Sequence, residues 1–335
     1  MTSLLGHEGQ AAAFLSAMRG DRLHHAWLLT GPKGVGKASF AKAAALRLLA
    51  KAAEPGVGGE GLEIGEDHRI ARLFAARSHP DFRLVEREVW KKDDIVPEAD
   101  RKGDEPLARN IRVAQIRMLD RVLSVSPSLS NRRAIVIDSA DDMERGAANA
   151  LLKSLEEPPA GTVFFLVSHM PGRLLPTIRS RCRQLRFGPL TDEQVQVALR
   201  RELPDAPPAE IDALVKAGEG APGLALRFAG LDIEALDKAL EKLAGTGDPD
   251  NAHRVALAKS LALKAAQPRY EAFLERAPAF IAARAKERSG AALDDAIELW
   301  GRARELAARA VGLSLDPQAT AFQVGSYVAA LARSR

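Results

Sequence analysis

The sequence predicts an α/β domain built on a mostly parallel sheet, followed by an entirely helical C-terminal half. Three observations carry this. Short apolar runs alternate with helix-patterned stretches as far as Pro189, the pattern of parallel strands joined by helical crossovers. One of these runs leads into a glycine-rich turn, GPKGVGK at residues 31–37, that opens a helix. From about residue 190 the chain is rich in Ala, Leu, Glu and Arg, with Gly and Pro clusters at 204–208, 218–223 and 244–249 as punctuation.

Taken in order, Ala26 to Leu29 form the first strand, and the helix after the glycine-rich turn runs to about Lys51. Residues 54–66, full of Gly and Glu, form a loop. Phe82 to Val85 make a short strand, and the polar, proline-containing stretch 91–109 is a long exposed loop without chemistry of its own. Ile111 to Ser124 have helical spacing, with Ile111, Ile116, Leu119 and Leu123 on one face. Ala134 to Ile137 form a buried strand. Residues 142–157 form an amphipathic helix that Pro158-Pro159 stops. Val163 to Ser168 and Gln184 to Phe187 complete the strands. The expected domains are 1–189, 190–245 and 246–335.

A chain of 335 residues is long enough for two or three domains, and 46% hydrophobic with 27% charged residues is a globular composition. A single cysteine, Cys182, excludes a disulfide framework and a cysteine-rich zinc site and fits a reducing cytoplasm. The N-terminus MTSLLGHEGQ lacks a signal-peptide pattern, and no stretch is apolar enough to span a membrane. A net charge of +4 and a pI near 9.2 suit association with nucleic acid.

Gly31-Pro32-Lys33-Gly34-Val35-Gly36-Lys37 matches the first seven positions of a phosphate-binding loop. Gly31, Gly34 and Gly36 let successive N–H groups face one concavity, the helix N-terminus adds positive potential, and Lys37 is placed to reach outer phosphates. The eighth position, where a hydroxyl would ligate Mg²⁺, is Ala38. Ser39 follows, but one helical step turns a side chain by about 100°, so its hydroxyl points elsewhere. The run Ala134-Ile135-Val136-Ile137-Asp138 is a strand ending in a carboxylate that could hold Mg²⁺ through water. The next residue, where a hydrolase needs a carboxylate base, is Ser139, which cannot serve near neutral pH unaided. His24 and His25, adjacent on a strand, would point to opposite faces and not form a pair.

These motifs, in this order, resemble the bacterial clamp-loader AAA+ family. Leu23-His24-His25-Ala26-Trp27-Leu28, Ser78-His79-Pro80-Asp81-Phe82, the stretch Asn149 to Pro159 (NALLKSLEEPP) and Leu174 to Cys182 with its Ser-Arg-Cys all carry the likeness. The strong matches cover about residues 5–190.

The resemblance implies an α/β AAA+ P-loop NTPase domain with a small helical lid, followed by an all-α collar domain. It implies that Arg181 acts as a trans arginine finger and that Ser168 sits at the sensor-1 position. It puts Gly223 where a motor subunit has the sensor-2 arginine. Without the resemblance, Arg181 reads as a surface arginine in a basic run with Arg179 and Arg183. The implied role is a non-hydrolysing subunit of the DNA polymerase III holoenzyme that helps load the sliding clamp on primed DNA. Its implied partners are gamma/tau-type motor subunits and a delta subunit in a hetero-pentamer, with clamp and primer-template DNA reached through that complex. Its implied location is the cytoplasm, at the nucleoid-associated replisome. Weak binding of ATP or ADP stays open. The zinc module of many relatives is not expected, because residues 50–78 hold no cysteine. The alternatives are an ATP-hydrolysing motor subunit, which Ala38, Ser139 and Gly223 oppose, and a stand-alone AAA+ DNA-remodelling helicase, which needs an intact pair of motifs. A third, a small-molecule kinase, does not fit the helical C-terminus.

Overall fold

The alternating runs become a five-stranded parallel sheet in the computed structural model, which describes residues 4–20, 23–91, 94–96, 100, 105 and 107–332. The chain divides into two units, 1–194 and 195–335. In the first, the order is α1 (Glu8–Arg19), β1 (Ala26–Thr30), α2 (Lys37–Ala53), α3 (Arg69–Ala75), β2 (Phe82–Val85), β3 (Trp90–Lys91) and β4 (Asp94–Ile95). Then come α4 (Val113–Leu123), β5 (Arg133–Ile137), α5 (Arg145–Glu156), β6 (Thr162–Ser168), α6 (Pro176–Ser180) and β7 (Arg183–Arg186). The sheet runs β2-β5-β6-β1-β7. β1, β5 and β6 are buried along their whole length, which is why they read as unbroken apolar runs.

Strand alternation sends side chains to two separate cores. Trp27, Leu29, Ala134, Val136, Phe165 and Val167 pack with α1, α2 and α3. Ala26, Leu28, Ile135, Ile137, Phe164 and Leu166 pack with α4, α5 and α6. The anticipated face Ile111, Ile116, Leu119 and Leu123 lies in this second core. Because Thr30 pairs with Ser168 and Ile137 with Leu166, the C-terminal ends of β1, β5 and β6 lie side by side. A site at that edge follows from the register.

Several local expectations need correction. Helices α1 and α3 stand where none was expected. The helix expected over 142–157 begins at Arg145, after a 3₁₀ turn at Ala140–Asp142. Within 91–109, residues 92–93, 97–99, 101–104 and 106 lie outside the described residues. The described part is not all loop, because β3 and β4 form a small antiparallel hairpin that pairs Trp90 with Ile95. His24 and His25 precede β1, so strand alternation does not separate them, and their rings stack with centroids 4.6 Å apart.

The loop 54–66 is organised by a buried arginine. Arg47 of α2 donates to the carbonyls of Val57 (2.9 Å) and Gly59 (2.8 Å). Gly58 has φ +86°, which L side chains rarely adopt, and a Cβ there would meet the Arg47 guanidinium at 1.0 Å and force it off these carbonyls, so glycine is favoured. Among the described residues, no group of three or more His, Cys, Asp and Glu is placed to hold a metal ion.

The second unit is helical: α7 (Asp192–Glu202, begun in the first unit), α8 (Pro208–Gly218), α9 (Pro222–Arg227), α10 (Ile233–Thr246), α11 (Ala252–Leu261), α12 (Gln267–Ala285), α13 (Gly290–Gly312) and α14 (Pro317–Ala330). α12 packs on α13, and α14 packs on α10, α11, α12 and α13. No helix among the described residues is long and apolar enough to cross a membrane.

Candidate functional site

The glycine-rich turn leaves β1 at Gly31, whose φ is +150° and where a Cβ would lie 2.2 Å from the Phe187 carbonyl oxygen. No other residue fits that approach. Gly36, left-handed, precedes the first residue of α2, and its carbonyl accepts the Phe40 N–H at 2.9 Å. Lys37 is only 2% exposed, and its Nζ donates to the carbonyls of Gly31 (2.7 Å) and Pro32 (2.5 Å). Burial pulls its pKa down to about 8, against the opposing pull of Asp138 and Asp141. Ala38 packs against the first core, while Ser39 faces solvent. The hydroxyl next to Ala38 therefore does not replace the missing one.

His7 was missed by sequence reasoning. Its Nε2 donates to the Val35 carbonyl (2.9 Å), and its ring meets Phe187 edge-on at 4.8 Å. It covers the loop from a segment 28 residues away.

At the end of β5, burial raises the pKa of Asp138, opposed first by Lys42. Ser139 Oγ is hydrogen-bonded to His169 Nε2 at 2.8 Å. His169 is pushed down to about 4, chiefly by burial and then by Lys37, and is neutral at pH 7. Ser168, fully buried at the end of β6, donates its hydroxyl to Asp141 Oδ1 at 2.6 Å. The other Asp141 oxygen accepts the backbone N–H groups of His169 and, at 3.2 Å, Met170. Asp141 is thus the second missed residue: it ties the turn after β5 to the end of β6. Its only sequence signal is an acidic residue three places beyond Asp138.

The structure therefore gathers Gly31, Gly34, Gly36, Lys37, Asp138, Ser139 and Ser168 at one sheet edge, as the motif order implies. There is no hydroxyl at position 38, no carboxylate at position 139, and Ser139 and Ser168 are already hydrogen-bonded to His169 and Asp141. Ala38 offers no oxygen to a metal ion at the position where a hydroxyl would ligate one.

Arg181 stands apart, at the C-terminal end of α6. Its guanidinium is about one-third exposed; Nη2 pairs with Glu156 Oε1 at 2.7 Å, and Nη1 donates to the Thr177 carbonyl at 2.9 Å. Glu156 closes α5, and the Leu155 carbonyl beside it accepts His25 Nε2 at 3.0 Å. The neighbouring Cys182 thiol, pushed up to about 12 by burial, packs against the second core and is unreactive. Gly223 lies in the first turn of α9, in the second unit. The Ser-His-Pro-Asp-Phe stretch is structural. Buried Asp81 accepts the N–H groups of Ser128 (2.7 Å) and Leu129 (2.8 Å) and faces buried Arg133 at 3.8 Å.

The family described as "DNA polymerase III, delta subunit" matches residues 6–191, more than half of the chain. The DNA polymerase III subunit delta' of Pseudomonas aeruginosa is 38% identical over 66% of this chain and 61% of its own length. That of Bacillus subtilis is 36% identical over 52% of this chain and 46% of its own. The DNA polymerase III subunit tau of Escherichia coli is 29% identical over 74% of this chain and 36% of its own. The chain thus spans about half to three-fifths of the delta' relatives it matches. Among solved structures, a DNA polymerase III gamma subunit-related protein from Thermotoga maritima aligns over 93% of this chain and 96% of its own, at 19% identity and a TM-score of 0.40.

Proposed function

The chain belongs to the DNA polymerase III delta-subunit family, and from that membership we propose that it works as a delta'-type clamp-loader subunit that does not hydrolyse ATP itself. In this reading it joins gamma/tau-type motor subunits and a delta subunit in a hetero-pentamer. It presents Arg181 to ATP held by a neighbour and so helps place the sliding clamp on primed DNA. Residues 190–245 form the lid, and residues 246–335 form the collar through which the ring assembles. The reading is carried by one contrast. The chain's own phosphate edge lacks a metal hydroxyl and a base, and its lysine is drawn onto its own loop carbonyls, whereas Arg181 is intact and partly exposed. Developing charge on a transferring phosphoryl group is stabilised by such a guanidinium, worth about 10³–10⁵ in rate where a site depends on it.

Phosphate release by the isolated chain is expected to be negligible. Reconstituted with partner subunits from its own organism, Arg181→Ala should leave assembly intact and silence only the site it faces. Total ATPase then falls modestly, because other sites keep their own arginines, while clamp loading falls further. Turnover by the isolated chain near that of the assembled complex, or an Arg181→Ala complex that loads normally, refutes this role.

A further inference from the structure

We infer that Glu156 is the positioning residue for Arg181: its carboxylate and the Thr177 carbonyl together fix the plane of the guanidinium before it meets a phosphate. The inference deepens the proposed trans role of Arg181 and rests on it.

Both anchors sit on packed scaffold. Leu155, next to Glu156, is 1% exposed, and its carbonyl is tied to His25. The Glu157 N–H bonds the Lys153 carbonyl at 3.0 Å, completing the last turn of α5 before Pro158 ends it. On the other side, Ile178 of α6 is fully buried in the same core as Leu151 and Leu155. The end of α5 and the start of α6 are therefore fixed against one face of the sheet. Arg181 bridges them, with one guanidinium nitrogen on each.

An arginine side chain is long and samples many rotamers. Two hydrogen bonds from different nitrogens remove that freedom and orient the planar fork. The remaining donors on the exposed side stay available to an incoming anion. A pair exposed to this degree adds little to folding stability, so stability does not account for the arrangement, while preorganisation of the fork does. Lys153, Glu156 and Glu157 all lie in the stretch that carries the family likeness, and Arg181 lies in another; the pair joins the two.

The test uses the reconstituted complex and the isolated chain in parallel. In the complex, Glu156→Ala is expected to slow the one ATP site that Arg181 faces by at most about 5-fold, the range of an exposed ion pair, so total ATPase should fall by less than it does in Arg181→Ala. KM for ATP and assembly should not change. Glu156→Gln, which keeps an acceptor oxygen for Nη2, should recover most of the loss. In an Arg181→Ala background, Glu156→Ala should add nothing. In the isolated chain, modification of Arg181 by phenylglyoxal, mapped by mass spectrometry, should be faster in Glu156→Ala than in wild type. A Glu156→Ala complex equal to wild type beside an impaired Arg181→Ala complex overturns the inference. So does a Glu156→Ala loss that persists without Arg181. If Arg181→Ala itself is silent, the trans role fails, and unchanged phenylglyoxal reactivity separately overturns the positioning of Arg181 by Glu156.

Discussion

Replacing Lys37 with Met reads how the phosphate loop is held. The ammonium is 2% exposed, and burial lowers its pKa from 10.5 to about 8. In the unfolded chain the same amine titrates near its ordinary value. Between the two values the unfolded state binds more protons, so the wild-type chain gains stability as pH rises from about 8 to about 10.5. Keeping the buried amine charged costs about 3 kcal/mol at pH 7, and about 1 kcal/mol of that is left at pH 10. Methionine does not titrate. Relative to Lys37→Met, the wild type should therefore gain roughly 2.5 kcal/mol between pH 7 and pH 10. Hydrogen bonds to Gly31 and Pro32 that the variant lacks enter as a nearly constant offset. Urea unfolding at several pH values measures this, followed by the fluorescence of Trp27 with Trp90 and Trp300 replaced by Phe so that only the first unit reports. Stability differences that stay constant from pH 7 to pH 10 would refute the burial of a charged Lys37.

Two further variants test other parts of the same unit. Asp81→Ala strands the buried Arg133 and removes the acceptor for the Ser128 and Leu129 N–H groups, so the first unit should lose about 3–5 kcal/mol; an unchanged urea midpoint would show that the pair is dispensable. On the proposed reading, in which Gly223 stands where a motor subunit has its sensor arginine, Ala38→Thr combined with Ser139→Glu should strengthen nucleotide binding by calorimetry while phosphate release stays near zero; robust turnover by this double variant would refute that reading.

Much of the fold was legible because its signals are local. Each buried strand is a contiguous apolar run, and the phosphate loop needs its glycines at fixed spacing, so β1, β5 and β6 and the residues at their ends could be placed from sequence. α1 was missed although its signal was present: Ala11, Phe14, Leu15 and Met18 have helical spacing and all reach the first core. α3, at seven residues, is too short for periodicity to register. The stacking of His24 on His25 was misjudged because the strand begins at Ala26, two residues later than the argument required. The contacts of His7 with Val35, of Asp141 with Ser168, and of Glu156 with Arg181 join residues 25 to 28 positions apart. Such pairings depend on tertiary packing, and no local pattern encodes them.

The two cores separate the packing of the phosphate-loop helix from that of the Arg181 scaffold. The loop-bearing helix α2 packs on the face formed by Trp27, Leu29 and Phe165. The scaffold of Arg181, α5 and α6, packs on the opposite face with Leu28, Phe164 and Leu166. A change such as Ala at position 38 alters the first helix–sheet layer and touches no residue that holds Glu156 or Arg181. Substitutions far apart with no shared partners act nearly independently. The residue at position 38 therefore places no direct physical demand on the arginine held by α5 and α6.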